Sequence, residues 1–235
     1  MGVICEMFYS QELVSAEFEY RRNRFVAIVE INGNSIEAHI PTTSRMKELL
    51  YPRAKVYLSY NPGINRSTQY DLKAVVYNEI LVSIDSGVPN KILRNALENH
   101  CIAKLADWSL DKCEVTYGKS RLDFRLINGE KIMYIEAKSV TLVNDCIALF
   151  PDAPTSRGTR HLYELIDAVK NGSQATVIFI IQREDAVYFS PNKITDRLFA
   201  DTLKQAYQAG VEILPLKCRV TTRSINIIGE VPVNW

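Results

Sequence analysis

The stretch that decides the fold is SRLDFRLINGEKIMYIEAK at residues 120–138. Two alternating runs of apolar and polar residues flank Asn128-Gly129, and this dipeptide between such runs is the strongest short-range signal for a β-hairpin. With Asn128 and Gly129 as the loop, Asp123 opposes Tyr134. Side chains alternate between the two faces of a strand. The face predicted to be core consists of Leu122, Phe124, Leu126, Met133, Ile135 and Ala137. The polar face consists of Arg121, Asp123, Arg125, Tyr134, Glu136 and Lys138.

The polar face of this hairpin carries the residue types of a metal-dependent hydrolase. Asp123 and Glu136 are predicted to be diagonal neighbours about 7–8 Å apart, close enough to share a divalent cation. Such oxygen ligands, with the Ala137 carbonyl as a further candidate, favour Mg²⁺ or Mn²⁺. Lys138 would position or deprotonate the attacking water. This is the D…(D/E)xK pattern of metal-dependent nucleases; the alternative is an ordinary solvated strand face of mixed charge.

The segments around the hairpin extend this prediction to a whole domain. Periodicity, start signals and stop signals predict further elements. They are a helix at 90–103, a strand at 114–118, a helix at 155–170, a buried strand at 175–182, a helix at 196–209 and a strand at 211–216. This order contains the αβββαβ core of PD-(D/E)xK nucleases. Glu98 in the first helix and Glu114 on the first strand are competing candidates for a third acidic ligand.

The first part of the chain has a different character. Strands are predicted at 25–30, 35–40, 55–60 and 72–77, and Asn32-Gly33 joins the first two as a hairpin. Short strands in a segment of this size predict a small barrel, of which the OB-fold is a common kind. The predicted organisation is an OB-fold-like barrel at 1–84, which is a candidate nucleic-acid binder, followed by a mixed α/β nuclease-like domain at 85–235.

Composition limits the partners. There are 28 Lys and Arg residues against 27 Asp and Glu, a net charge of +1. A DNA-binding role must therefore depend on local clusters of basic residues, because proteins that bind phosphate backbones usually carry a basic surplus. The longest apolar run, residues 175–181, is too short to span a bilayer. The N-terminus lacks the pattern of a secretory signal. We therefore expect a cytoplasmic protein without a membrane partner.

Several motifs run in order along nearly the whole chain. They are YRRNRF at 20–25, SRLDF at 120–124, IEAKSVTL at 135–142, FPDAPTSRG at 150–158, HL at 161–162, IIQR at 180–183 and GVEIL at 210–214. Together they resemble the sugar fermentation stimulation protein (SfsA) family. The resemblance implies an OB-fold-like domain followed by a PD-(D/E)xK nuclease-like domain, DNA binding, and a regulatory role in sugar metabolism. The chain departs from the family at 39–46, where HIPTTSRM replaces HCPNTGSM.

Further residues are candidates for contacts with the substrate. Arg157 near the start of a helix is a candidate phosphate contact. His161 is either a general acid or a packed imidazole. Gln182 either orients water or phosphate near Lys138 or is simply a polar strand end. On the barrel, basic residues are candidates for a groove that follows the phosphate backbone, with Tyr57 or Tyr60 stacking on bases. The alternative is an ordinary solvated barrel surface. The basic residues of that groove would be Arg21, Arg22, Arg24, Arg45, Lys47, Arg53, Lys55 and Arg66.

Two functions follow as hypotheses. The first is a Mg²⁺- or Mn²⁺-dependent phosphodiesterase that acts on DNA through Asp123, Glu136 and Lys138. The second is a non-catalytic DNA-binding regulator of sugar fermentation genes that retains the nuclease fold. A nucleotide or RNA phosphodiesterase with the same site is a third, weaker reading. The intact carboxylates favour the first hypothesis, because a protein that only binds DNA gains nothing from side chains that repel phosphate.

Overall fold

The computed structural model describes residues 5–42, 44 and 46–235 of the chain. After a first strand, β1 (Cys5–Phe8), six strands form one sheet. They are β2 (Val14–Arg21), β3 (Val26–Ile31), β4 (Asn34–His39), β5 (Lys55–Tyr60), β6 (Tyr70–Tyr77) and β7 (Ile80–Ser83). Their order is β4-β3-β2-β5-β6-β7, and a parallel pairing of β4 with β6 closes β2–β6 into a five-stranded barrel. The predicted OB-fold-like barrel is therefore confirmed.

The rest of the chain folds into an α/β domain. Its elements are α1 (Val88–Glu98), β8 (Ser109–Tyr117), β9 (Ser120–Asn128), β10 (Lys131–Val140), β11 (Val143–Asn144), β12 (Ile147–Phe150), α2 (Ser156–Lys170), β13 (Gln174–Ile181), β14 (Tyr188–Pro191), α3 (Arg197–Gln208), β15 (Glu212–Val220) and β16 (Ser224–Glu230). The main sheet has the order β1-β16-β15-β13-β10-β9-β8, and β11, β12 and β14 form a small second sheet. The predicted mixed α/β domain is confirmed.

The first strand lies outside the barrel, although the sequence prediction assigned the whole of residues 1–84 to the barrel. Residues 5–8 pair antiparallel with β16, at the edge of the main sheet. This pairing satisfies backbone groups that would otherwise be exposed along the edge of β16. The α/β domain therefore contains chain from both sides of the barrel.

Helices cover both faces of the main sheet. On one face, α1 packs through Ile92 and Leu93 onto a cluster that includes Phe124 and Ile135. On the other face, α2 and α3 pack onto a cluster built around Phe179 and similar residues of β13. Strand β13 is buried along nearly all its length, which explains its continuous apolar sequence. None of the helices in the described ranges is long and apolar enough to cross a membrane.

The central hairpin forms with a different loop from the predicted one. Gly129 and Glu130 make the turn, and Asn128 pairs with Lys131. Gly129 has φ +59°, and a glycine with positive φ at the first turn position is what a type II′ hairpin requires. The predicted register is therefore wrong by two residues. Since this shift is even, it does not by itself move any side chain to the other face of the hairpin.

The regular pairing of β9 with β10 ends at Phe124 and Ile135. The next positions in this register are Asp123 and Glu136, where the two strands stop pairing. Leu122, predicted on the same core face as Phe124, instead packs in the cluster on the opposite side of the sheet. The alternation is thus broken between Leu122 and Phe124, at the residue that carries the carboxylate.

Buried polar contacts join the barrel to the α/β domain. The Ser83 backbone N–H donates to the Gln182 carbonyl at 3.1 Å. The Ser83 hydroxyl donates to Oε1 of Gln182 at 2.9 Å, and Nε2 of Gln182 donates to the Ser139 hydroxyl at 2.9 Å. Gln182 is completely buried, so both ends of its amide are committed to the junction. Its position links strand β10, which carries Glu136, to the barrel.

Arg183 makes a second connection at the same junction. Its guanidinium forms two bonds to the Asp185 carboxylate at 2.7 and 2.6 Å and donates to the Thr141 carbonyl at 3.1 Å. It also lies 5.2 Å from the ring centroid of Tyr77 on the barrel. Arg183 is almost completely buried, so its charge is held between the two domains by these contacts.

Candidate active site

Asp123 is held at the point where the hairpin strands separate. Its Oδ2 accepts the backbone N–H of Ala137 at 2.8 Å, and its Oδ1 accepts the side-chain amide of Asn90 at 2.7 Å. Asn90 lies in the first turn of α1, so the helix and the hairpin together orient the carboxylate. The N–H and C=O of a strand residue face the same neighbouring strand, and the Ala137 carbonyl therefore lies on the side of Asp123.

Glu136 is 3 % exposed and lies between two basic side chains. Its Oε1 contacts both the Lys138 ammonium and Nδ1 of His161 on α2. The other oxygen, Oε2, is buried, and no described residue offers it a hydrogen bond. A buried carboxylate oxygen without a partner costs free energy. One oxygen is thus fixed by protein groups, while the other has no partner among the described residues.

The two carboxylates have opposite pKa shifts. Burial, and then the negative charge of Glu136, raise the pKa of Asp123 above its usual value, against the hydrogen bonds from Ala137 and Asn90. For Glu136, burial is the largest influence and favours the neutral acid. The hydrogen bond from His161, and then the charge of Lys138, nevertheless hold the pKa of Glu136 below its usual value. Glu136 is therefore the more firmly ionised of the two.

His161 is buried and acts on Glu136 rather than on solvent. Arg157 Nε donates to Nε2 of His161 at 3.3 Å, which makes Nε2 an acceptor. The proton of the neutral imidazole then lies on Nδ1 and is donated to Glu136, an assignment that follows from the hydrogen-bond network. The His161 side chain is 2 % exposed, so it is placed to orient the carboxylate. The exposed Arg157 extends this chain of contacts to the surface.

These groups have the chemistry that a hard divalent cation requires. Asp123 and Oε2 of Glu136 would hold the ion, with the Ala137 carbonyl as a further oxygen ligand. Within the described ranges, no group of three His, Cys, Asp or Glu side chains is arranged as a complete metal site. Mg²⁺ is commonly bound by one or two carboxylates with waters and substrate oxygens as the other ligands, so two carboxylates are sufficient. The donor set therefore fits Mg²⁺ or Mn²⁺ better than Zn²⁺.

The two candidates for a third acidic ligand have different positions. Glu98 is at the far end of α1 from Asn90, about 12 Å along the helix axis, and it accepts from Arg94 at 2.8 Å. Glu114 lies on β8 opposite Asp123 in the strand register, but its side chain is exposed and lies 3.4 Å from Arg121. The side chain that α1 supplies to Asp123 is the Asn90 amide. Gln182, a further predicted site residue, is held at the domain junction.

The predicted basic cluster of the barrel is divided between different environments. Arg22 forms an ion pair with Glu37 of the neighbouring strand β4. Arg21 donates to the Arg24 carbonyl at 3.2 Å, and Arg24 is exposed beside a cleft between the barrel and the α/β domain. Arg45 lies outside the described residues. Arg157 is thus linked to Glu136 through His161, whereas Arg24 lines the cleft between the two domains.

The sequence interpretation missed Asn90. The signal was present as the Pro89-Asn90 helix start, but it indicates only where a helix begins. Which side chain of that first turn reaches Asp123 depends on how α1 packs against the hairpin. No local pattern encodes that packing.

We expect Asp123→Asn to stabilise the metal-free protein. Because the pKa of Asp123 is raised on folding, ionisation of this group lowers stability as the pH rises through the folded pKa. Asparagine removes that cost and keeps an acceptor for Ala137. The Tm of the metal-free variant at pH 7.5 should therefore be higher than that of the metal-free wild type. Thermal unfolding in EDTA measures it. The gain should vanish below about pH 3.9, where the carboxyl is protonated in both states; a lower Tm at pH 7.5 would contradict this account.

Together, the fold and the site define a two-domain protein in which an OB-fold barrel is joined to an α/β domain with two carboxylates and a lysine at one hairpin. The family model "SfsA N-terminal OB domain" matches residues 20–84, and "Sugar fermentation stimulation protein RE domain" matches residues 87–224. The chain belongs to the sugar fermentation stimulation protein (SfsA) family, as the sequence motifs predicted.

Relatives match over almost their whole length. The sugar fermentation stimulation protein homolog of Desulforamulus reducens is 46% identical over 222 residues, covering 94% of this chain and 92% of the relative. The homolog of Alkaliphilus metalliredigens is 46% identical over 230 residues, covering 97% and 99%. Among solved structures, Pyrococcus furiosus SfsA in complex with Ca²⁺ has a TM-score of 0.89 and 31% identity, covering 97% of this chain and 98% of that chain.

Proposed function

We propose that this protein is a divalent-metal-dependent phosphodiesterase that cleaves DNA. The observation that carries the proposal is Glu136, a buried carboxylate with one oxygen held by Lys138 and His161 and the other left without a partner beside Asp123. Most buried side-chain oxygens have a hydrogen-bond partner, and among the described residues Oε2 of Glu164 is the other buried carboxylate oxygen without one. Glu136 differs from Glu164 in lying with Lys138 and with a second buried carboxylate, Asp123. An unsatisfied buried oxygen lowers the stability of the folded protein. A cation bound to Oε2 of Glu136 would remove that cost.

The side chains divide the chemistry among them. A bound Mg²⁺ or Mn²⁺ would lower the pKa of a coordinated water and stabilise charge on a phosphoryl oxygen. Lys138, whose ammonium rests on Glu136, would orient the attacking water. His161 keeps Glu136 in position through Nδ1. The exposed Arg157 would contact a non-bridging oxygen of the phosphate.

A related structure supports the use of a hard cation. Pyrococcus furiosus SfsA has been solved in complex with Ca²⁺, and Ca²⁺, Mg²⁺ and Mn²⁺ all prefer oxygen ligands. The two carboxylates of the present chain offer ligands of that type. This support is independent of the hydrogen-bond argument, since it comes from a different protein of the same fold.

The proposal is tested with end-labelled DNA, both single-stranded and double-stranded, incubated with Mg²⁺ or Mn²⁺ and with EDTA. We expect cleavage that requires the metal and disappears with EDTA. The matched control is Glu98→Gln, because Glu98 is an acidic residue of α1 that lies away from the site; it should cleave like the wild type. If the folded protein binds DNA but does not cleave it with either metal, the non-catalytic regulator is the better description.

We further expect metal binding to stabilise the wild type and not Asp123→Asn. A ligand at 100 times its Kd raises the free energy of unfolding by about 2.7 kcal/mol, which is several degrees in Tm for a chain of this size. Thermal unfolding with increasing Mn²⁺ or Ca²⁺ measures the effect without any need for catalysis. An equal rise in both proteins would place the metal elsewhere.

A further inference from the structure

A cleft with about 340 Å³ of free space lies between the barrel and the α/β domain. From the barrel it is lined by Arg24, Thr42, Ser44 and Met46. Its other wall is formed by the residues that follow Lys138 on β10 and by the loop that precedes α2. The Ser44 hydroxyl contacts the Asp152 carboxylate, so the two domains touch across one side of the cleft.

The cleft adjoins the candidate active site through three separate elements. Ser139, in its wall, directly follows Lys138 along β10. Ser86, also in its wall, precedes α1, whose first turn bears Asn90. Pro154 ends the wall just before α2, which bears Arg157. Because three elements each carry both a lining residue and a residue of the candidate site, the cleft and the site lie on the same part of the molecule, and a nucleic-acid chain with a phosphate at Asp123 and Glu136 would have a neighbouring nucleotide near the cleft.

The lining suits a base and sugar better than a phosphate. Among the described lining residues only Arg24 and Asp152 are charged, and their charges are opposite. The remaining wall combines hydroxyl groups, such as those of Ser86 and Thr141, with apolar side chains. Hydroxyls both donate and accept, and the Asp152 carboxylate accepts from amino groups, so the polar edge of a base can be satisfied here.

One wall is rigid in the way that a stacking surface requires. Phe150 lines the cleft, and its ring packs against Phe179 and Phe199 with centroid separations of 5.4 and 5.1 Å. A ring held from behind keeps its position when a ligand enters. Stacking of a base on an aromatic ring contributes about 1–3 kcal/mol in single-strand binders.

The volume is at the lower end of the range for small-ligand sites, roughly 300–1,000 Å³. A base within a duplex is paired and stacked, so it cannot enter such a space without being unpaired first. Resting on the function proposed above, we propose that this cleft receives one unpaired nucleotide next to the scissile phosphate. The substrate class is therefore single-stranded DNA.

Binding without metal tests this proposal separately from catalysis. Fluorescence anisotropy in EDTA compares a labelled single-stranded oligodeoxynucleotide with a blunt duplex of the same sequence. We expect the single strand to bind at least tenfold more tightly. Ala153→Trp places a large ring in the cleft from an exposed position and should weaken single-strand binding about tenfold. The matched control is Ala106→Trp, an exposed alanine outside the cleft, which should bind like the wild type.

Equal or tighter binding of the duplex overturns the proposal, as does unchanged binding by a folded Ala153→Trp protein. Tighter binding of an oligoribonucleotide of the same sequence overturns the assignment to DNA. Circular dichroism and Tm establish that each variant is folded. A wild type that binds single strands in this way but does not cleave them with metal leaves the cleft proposal standing and refutes only the catalytic function.

Discussion

Asp123→Asn should lower the rate of metal-dependent DNA cleavage by about 10³-fold, equivalent to about 4 kcal/mol of transition-state stabilisation. The reason is that the variant removes one of two carboxylates available to a cation. The substitution conserves shape, since the amide oxygen still accepts the Ala137 N–H that Asp123 accepts at 2.8 Å. Single-turnover cleavage at saturating Mn²⁺ measures the chemical step directly.

The same variant provides its own control for folding. If Asp123 had only a structural role, the Asp123→Asn variant would lose stability and activity together. We expect instead that the metal-free variant gains stability. Glu114→Gln serves as the matched control, because Glu114 is a carboxylate on the neighbouring strand that contacts Arg121 at the surface. Cleavage by Asp123→Asn within tenfold of the wild type would refute the assignment of this residue.

Lys138→Met should lower the cleavage rate by about 10²-fold, within the range for a residue that assists proton transfer in the transition state. Its ammonium contacts the same oxygen of Glu136 that His161 holds. Removing the ammonium leaves both carboxylates in place. The variant should therefore still bind Mn²⁺, and slightly more tightly, because a positive charge close to the cation has been removed.

The combination of results separates the two side chains. Asp123→Asn loses cleavage and metal-induced stabilisation, whereas Lys138→Met loses cleavage and keeps the stabilisation. Lys138→Arg retains the charge but changes the position of the donors, so partial activity would indicate that charge near the water is sufficient. If Lys138→Met lost metal binding to the same extent as Asp123→Asn, Lys138 would have to be regarded as a support for Glu136 and not as a group that acts on water.

Much of the fold is readable from the sequence because local signals and tertiary packing agree. Helices α2 and α3 begin within one residue of the predicted positions, since Thr155 and Asp196 cap them through hydrogen bonds to Gly158 and Phe199. The apolar run of β13 is buried as expected. The error in the hairpin register was harmless to the faces of Asp123 and Glu136 because a shift of two preserves the alternation.

Other features depend on contacts between distant parts of the chain. The first helix ends at Glu98, earlier than predicted, because His100 adopts a left-handed conformation at φ +53°. Strand β1 is only four residues long, and its partner β16 lies at the other end of the sequence. Leu122 leaves its predicted face only because the strands separate at Asp123. Neither periodicity nor motif spacing contains this information.

The pairing of β1 with β16 has a topological consequence. The described chain runs from β1 in the α/β domain into the barrel and returns to the α/β domain at α1, so the barrel is connected to that domain through both of its ends. A domain attached by one linker can rotate relative to its neighbour, whereas a domain attached at both of its ends is more restricted. The hydrogen bond between Ser83 and Gln182 adds a third attachment. The position of the barrel beside the α/β domain is thus restrained by chain connections at both of its ends as well as by side-chain contacts.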